Sequence, residues 1–283
     1  MRIKIALKTH KLPILYRHRF MALIKEALGE SDAGYKQYLY PARDSCKSKQ
    51  AKPFAFNVVI PSDRTAKKEK ITIDSEFEVE DTVFYFSPDS FLSFYVSSSD
   101  YQFMINLYNG LLKIKEFDFG SKIILKLGKI FLLNEREIRG DEVIFKTNSP
   151  VLIEDRDGKP ILPFQISSDV SPQFSALSLR SFNDHFNEIH DRILSDLRGV
   201  NGKKGQGLQR KMELIPLNLK KQVVKHTLRD FREKTGKPYM TLTTFQGCFT
   251  LKGNSGDLQT LYQVGIGLRT GQGFGMVEVE NIM

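Results

Sequence analysis

The chain has 283 residues, 41% of them apolar and 27% charged, with a formal net charge of +9 at pH 7. That length accommodates two domains of ordinary size, each able to bury a core, and the excess of lysine and arginine suits a polyanionic partner or an acidic membrane surface. The two cysteines, Cys46 and Cys248, have neither a second cysteine nor a histidine at metal-ligand spacing, which excludes a disulfide framework and a zinc module.

No stretch approaches the roughly 18 consecutive apolar residues of a membrane span, and the N-terminus alternates instead of forming a signal-peptide core, so a reducing, cytoplasmic setting is expected. Ile3, Ile5 and Leu7 alternate with Arg2, Lys4 and Lys8, the pattern of a half-exposed strand. After Pro13 the spacing of Phe20, Leu23, Ile24, Ala27 and Leu28 predicts a helix, which leaves His18, Ala22 and Lys25 together on another face. A second short helix follows from Asp32 to Leu39, then a polar, basic connection from Pro41 to Lys52, then a strand over 54–60. Arg64, Lys67, Lys68 and Lys70 form a loop-like basic run. Strands are expected over 76–86 and 91–97, joined by the turn Ser87-Pro88-Asp89-Ser90. Asp100 caps a helix that turns Met104, Leu107 and Leu111 inward, and 123–133 returns as a strand. This is the β-α-β-β-α-β order of a ferredoxin-like domain, over 1–136.

The second half, 137–283, repeats the order, so the chain reads as α+β with two tandem ferredoxin-like domains. A strand over 143–153 precedes a four-turn helix built on Phe182, Phe186, Ile189, Ile193 and Leu197. Residues 199–207, with four glycines and two lysines, predict a mobile loop. Strands are expected over 212–217, 222–231 and 239–251, then a short helix capped by Asp257, and a last strand carrying Val277 and Val279. Lys203, Lys204, Arg210, Lys211, Lys220, Lys221 and Lys225 make a second basic cluster. His185 and His190 read as ordinary helix residues, and His226, beside Lys225 and Arg229, as a nucleic-acid contact.

Between that short helix and the last strand lies GIGLRTGQGFGMVEV, Gly265 to Val279. Gly265-Ile266-Gly267 and Gly273-Phe274-Gly275 are separated by five residues that include Arg269 and Gly271. Clustered glycines let amides approach phosphate oxygens; the purely structural alternative is tight turning and close packing. A nucleotide-cofactor loop is excluded, because those leave a strand and open a helix, and no Walker lysine is present.

The stretch Val264 to Val279 resembles the C-terminal motif of the CRISPR-associated repeat-processing endoribonucleases, the sixth Cas protein family of the RAMP superfamily. Phe145-Lys146-Thr147-Asn148-Ser149-Pro150-Val151 is similar to the strand opening that family's second half, and Lys52-Pro53-Phe54-Ala55-Phe56 to the lysine-plus-aromatic entry of its second strand. The resemblance implies a protein that binds CRISPR repeat RNA and cuts the precursor transcript once per repeat. The cut is metal-independent and needs no cofactor: the 2′-hydroxyl attacks the adjacent phosphorus, leaving a 2′,3′-cyclic phosphate and a 5′-hydroxyl. Such chemistry needs a base, an acid and groups that stabilise charge on phosphorus, with the scissile step held in line.

One departure stands out. Tyr40 occupies the position of the family's histidine, and Lys25 falls near its helical tyrosine; no histidine lies between His18 and His185. Tyr40 as acid or base, His18 in that role, and catalysis by positioning with Lys52 and Lys25 stabilising the phosphorane all remain open. So does a non-cleaving RNA-binding subunit whose partners are effector-complex proteins. A backbone subunit coating guide RNA ranks lower, because the glycine motif is complete. The resemblance places RNA on the glycine loop (Gly265, Gly267, Arg269, Gly271, Gly273, Gly275) and on the cleft residues Lys220, Lys221, Lys225, His226 and Arg229. The sequence leaves open whether the chain forms a homodimer.

Overall fold

The computed structural model describes residues 1–41, 50–74, 77–120, 122–164, 176–200 and 203–280. Most of the 41–52 connection with Cys46, residue Glu76 and part of the 199–207 loop lie outside the described residues.

Strand β1 (Arg2–Lys8) is central in a five-stranded antiparallel sheet of order β3-β6-β1-β8-β7, with β3 Phe54–Val59, β6 Leu92–Ser98, β7 Glu116–Gly120 and β8 Ile123–Leu133. Helices α1 (Arg17–Ser31) and α3 (Tyr101–Lys113) supply the core that packs with it. The residues α1 buries are Phe20, Leu23, Ile24, Ala27 and Leu28, the stripe marked by their spacing. The two helices approach closely at Gly110, where an added Cβ would lie 1.7 Å from the Ala27 carbonyl oxygen. Helix α2 (Ala33–Leu39) follows α1 directly, capped by Asp32, whose side chain accepts from the Tyr35 amide.

A three-stranded sheet of order β2-β5-β4 is inserted into this half, from β2 (Lys11–Pro13), β4 (Thr65–Thr72) and β5 (Glu78–Tyr85). The basic run Arg64 to Lys70 is therefore mostly strand, not loop. Six of the eight β4 residues are exposed, so no apolar alternation marks it.

The second sheet has order β10-β11-β9-β12, with β9 Glu142–Thr147, β10 Glu213–His226, β11 Met240–Lys252 and β12 Val277–Val279. Helices α4 (Ala176–Leu197) and α6 (Ser255–Val264) complete the β-α-β-β-α-β order. In both halves the second and fourth strands of the motif flank its third and first, the ferredoxin-like arrangement. Two expectations are corrected. The strands over 212–217 and 222–231 are one strand that ends at His226, and α5 (Arg229–Thr235) follows it. Asn254, not Asp257, caps α6; Asp257 is fully buried, paired with Arg198 at 2.7 Å and accepting from the Gln209 amide at 2.8 Å.

Arg2 ties the halves together. Only 2% exposed, it donates to Glu278 Oε2 at 2.6 Å and to the carbonyls of Tyr262 and Val277 at 2.7 and 2.6 Å, with its guanidinium 3.8 Å from the Tyr262 ring centroid. Arg2→Ala removes all of these and leaves buried carbonyls unpartnered, an expected cost of about 2–3 kcal/mol. Urea unfolding should show a lower midpoint for this variant, and an unchanged midpoint for Arg139→Ala, whose pair with Glu137 is fully solvated.

Candidate nucleic-acid interface

The three stretches behind the family resemblance lie far apart in sequence and meet in space. The Gly275 amide donates to the Pro150 carbonyl at 2.8 Å and the Met276 amide to Ser149 Oγ at 2.9 Å. Thr270 Oγ1 donates to the Phe54 carbonyl at 3.0 Å, and a Cβ on Gly273 would stand 2.7 Å from the Phe56 ring. A 3-10 turn, Thr270–Gln272, thus seats the glycine segment on β3.

The glycines serve close packing. At Gly267 (φ +84) a Cβ would stand 2.5 Å from the Leu152 carbonyl oxygen, and at Gly275 (φ +68) 2.0 Å from that of Ile266. The amides of Gly265, Ile266, Gly267, Leu268, Gly273 and Gly275 all donate within the protein. These six amides are thus satisfied within the protein, which fits the tight-turning, close-packing reading of the glycines. The middle of the loop differs. Arg269 takes the left-handed conformation (φ +60), stays partly exposed and lies 4.0 Å from Glu154. Gly271 packs on Lys52, where a Cβ would lie 3.2 Å from Lys52 Cβ.

Lys52, Lys25 and Tyr40 come together beside that turn. The Lys25 and Lys52 amines stand 4.6 and 5.1 Å from the Tyr40 ring centroid, and Lys52 Nζ donates to the Leu39 carbonyl at 2.6 Å. Burial, then the nearby Lys25 charge, lowers the Lys52 pKa. Burial raises that of Tyr40, so its hydroxyl keeps its proton at neutral pH. Tyr40 is thus equipped as a hydrogen-bond donor, not as a base.

His18 belongs to a different group. It lies two helical turns before Lys25, roughly 10 Å along α1. Burial first, then Arg19 and Arg232, bring its pKa down to about 4, and its Nδ1 is enclosed. His226 faces the same region and is 1% exposed. It bonds Gln272 Oε1 through Nε2 at 3.0 Å and meets the Phe274 ring edge-on. Burial, with Arg17 next, pulls its pKa down to about 3. Expected from the sequence as an RNA contact, His226 is in the structure a neutral, enclosed imidazole that holds the glycine segment from behind. Arg17 helps, donating to the Gly273 carbonyl at 3.3 Å and lying 5.2 Å from the Phe274 ring.

The cleft cations divide. Lys225 is ion-paired with buried Asp81 of β5, which also binds Lys68 at 3.1 Å, so Lys225 latches the inserted sheet to the second half. Arg232 makes a parallel link to Asp74. Lys220 and Lys221 are exposed on β10, an edge strand, where adjacent residues point to opposite sheet faces. Arg229 is exposed and pairs with Glu233 along α5.

Residues 133–279 match the family model "CRISPR associated protein Cas6, C-terminal", over half of the chain. The chain belongs to the Cas6 family. No curated protein matches the sequence. Among solved structures, a Cas6-related protein from Pyrococcus furiosus is 20% identical, with 100% of this chain and 99% of that one covered and a TM-score of 0.66. A RAMP protein described as binding different RNA substrates is 17% identical, with 99% and 100% covered and a TM-score of 0.67. A Cas6 solved as a product complex is 12% identical, with 99% of each chain covered and a TM-score of 0.56. What these similarities carry is the tandem ferredoxin-like fold. Among the described residues no helix is long and apolar enough to cross a membrane.

In this Cas6-family chain one residue that supports the glycine segment gave no signal in the sequence. His190, fully buried on α4, accepts the Gly267 amide proton at Nε2 (2.9 Å), so its Nδ1 carries the proton and donates to the Phe186 carbonyl (2.7 Å). Burial lowers its pKa from 6.5 to about 4. The folded chain keeps the ring neutral where the unfolded chain protonates it. The His190 contribution to stability is therefore complete above about pH 6.5 and declines as the pH falls toward about 4, below which it levels off. His190→Gln should bind one proton fewer on unfolding at pH 5, measured as a shallower pH dependence of the urea midpoint.

Proposed function

We propose that this protein binds the repeat of a precursor CRISPR RNA and cleaves it through attack by the RNA's own 2′-hydroxyl, releasing guide RNAs with a 2′,3′-cyclic phosphate and leaving a 5′-hydroxyl. Membership of the Cas6 family supports the substrate class. The observation that carries the reaction is the grouping of Lys52, Lys25 and Tyr40 beside the 3-10 turn. Two ammonium groups here favour the charge that builds on phosphorus, and low solvent exposure strengthens them. Lys52, whose proton is held less tightly than an ordinary lysine's, gives it to the departing 5′-oxygen, while the proton of the attacking 2′-hydroxyl passes to solvent water. The Tyr40 hydroxyl donates a hydrogen bond to a phosphate oxygen. Exposed Lys220, Lys221 and Arg229, with Arg269 on the glycine segment, supply the electrostatic attraction that positions the RNA.

The second reading, a non-cleaving repeat-binding subunit, rests on Tyr40 standing where a histidine would be. Incubating the protein in EDTA with a labelled repeat RNA separates the two. One discrete cut is expected, lost when the nucleotide before the cut carries a 2′-deoxy sugar. Tight binding of the unmodified repeat without a cut, in EDTA or magnesium, would support the second reading.

A further inference from the structure

The 3-10 turn that brings Gly271 against Lys52 is gripped from two sides. On the first half, Thr270 Oγ1 donates to the Phe54 carbonyl at 3.0 Å, and a Cβ on Gly271 would lie 3.2 Å from both Lys52 Cβ and Phe54 Cζ. On the second half stands His226, the last residue of β10, whose Nε2 meets Gln272 Oε1 at 3.0 Å. An amide oxygen only accepts, so Nε2 carries the ring proton and donates it. Nδ1 is enclosed and has no hydrogen-bond partner among the described residues.

Both ends of this bond rest on fixed structure. Within the turn, the Gln272 amide donates to the Arg269 carbonyl at 2.8 Å and the Gly273 amide to that of Thr270 at 3.1 Å, so residues 270–272 move as one unit. Behind the imidazole, His226 pairs with Met240 of β11, and the next residue, Thr227, donates to the Pro238 carbonyl at 2.7 Å while accepting from Arg232 at 2.8 Å. The turn therefore cannot shift at Gln272 without shifting Gly271, which is packed on the Lys52 stem. His226 is 1% exposed, so it acts on RNA only through what it holds. Such placement matters, because a displacement of about 1 Å at a reacting group costs up to about 100-fold in rate.

We propose that His226 is a positioning residue for cleavage: through Gln272 it fixes the turn against Lys52 and so sets where the lysine amine stands beside Tyr40. That role rests on the participation of Lys52 in cutting the RNA, as proposed above. The N–H is the operative part of the imidazole. Its edge-on packing on Phe274, with ring centroids 5.5 Å apart, is a contact that any ring of that size makes, whereas only a donor holds Gln272 Oε1.

Three variants separate the hydrogen bond from the volume it occupies. His226→Phe keeps a ring and loses the donor, Gln272→Met keeps the length and loses the acceptor, and His226→Gln offers an amide N–H at nearly the reach of Nε2. Single-turnover cleavage of a bound repeat RNA should slow about tenfold in the first two and stay within about threefold of wild type in the third, with Kd for the RNA little changed in all. The double variant His226→Phe, Gln272→Met should be no slower than its slower parent, since both remove one bond. In a Lys52→Ala background His226→Phe should cost no further rate, whereas a general loosening of the fold acts in both backgrounds. The placement of Lys52 is read without RNA by NMR of 13C-labelled lysine, its signal assigned by loss in Lys52→Arg. The Tyr40 ring displaces the Lys52 and Lys25 signals; His226→Phe should carry that of Lys52 toward the value of a solvated lysine and leave that of Lys25, held by α1, in place. Gln272 is only partly buried, so its variant carries the same tests where His226→Phe does not fold. An unmoved Lys52 signal, an unslowed cut by folded variants, or an equal loss in the Lys52→Ala background would overturn the proposal. A moved Lys52 signal in a protein whose wild type binds the repeat without cutting it would support the placement of Lys52 by His226 and overturn the cleavage reading instead.

Discussion

Replacing Lys52 with alanine is expected to slow single-turnover cleavage of a bound repeat RNA by about 100-fold or more while the Kd for that RNA changes less than about tenfold. The asymmetry follows from its setting. Lys52 is one cation among many for binding, but among the described residues it is, with Lys25, one of two that flank the Tyr40 ring. Lys52→Arg distinguishes charge stabilisation from proton donation. If charge suffices, the arginine variant retains much of the rate; if a proton must leave, it resembles the alanine variant, because arginine does not give up its proton. Lys25→Ala adds a pH signature. Removing the neighbouring positive charge lets Lys52 hold its proton to higher pH, so an alkaline limb of the rate profile should move upward. A Lys52→Ala variant that cuts within threefold of wild type would remove this residue from the reaction.

Gly275→Ala should be the most damaging substitution to the fold near the interface. The new methyl would meet the Ile266 carbonyl oxygen at 2.0 Å while the backbone is held at φ +68. Backbone cannot yield as a side-chain tip can, so overpacking and left-handed strain add to about 3–5 kcal/mol. Thermal melting should show a large loss or no folded protein. Gly140→Ala, where the nearest atom to the added Cβ would be 3.7 Å away and φ is not left-handed, should melt like wild type. A Gly275→Ala chain as stable as that control would mean that the segment rearranges freely, contrary to its internal hydrogen bonding.

The sequence was legible where burial is one-sided. The buried stripe of α1 emerged residue by residue because only one of its faces meets the core, and β1 alternates for the same reason. Strand β4 escaped notice because most of its residues are exposed, so its lysines read as a loop. On β10 the pair Lys220-Lys221 interrupted the apolar pattern of what is a single strand. At the candidate site, Lys52, Lys25 and Tyr40 were nameable only through the family resemblance, and the sequence could not show that the three group together while His18 lies toward Arg232. Nor could it show that His226 and His190 are buried supports: a histidine beside lysine and arginine looks cationic until its solvent exposure is known. The glycine motif was visible at once, yet only the positions of the Leu152 and Ile266 carbonyls reveal what its glycines avoid.

Arg2 has a consequence for how the chain acquires its shape. Its partner Glu278 is 276 residues away, and β1, the central strand of the first sheet, pairs with β8 more than a hundred residues downstream. The Arg2 segment therefore waits for a later-made neighbour, and its arginine remains uncompensated until Glu278, 276 residues on, has been made. Such long-range closure slows folding and prolongs the exposure of an unpaired strand edge. Synthesis should accordingly be most vulnerable to aggregation while the first half is assembled but the contacts that seal it to the second have yet to appear.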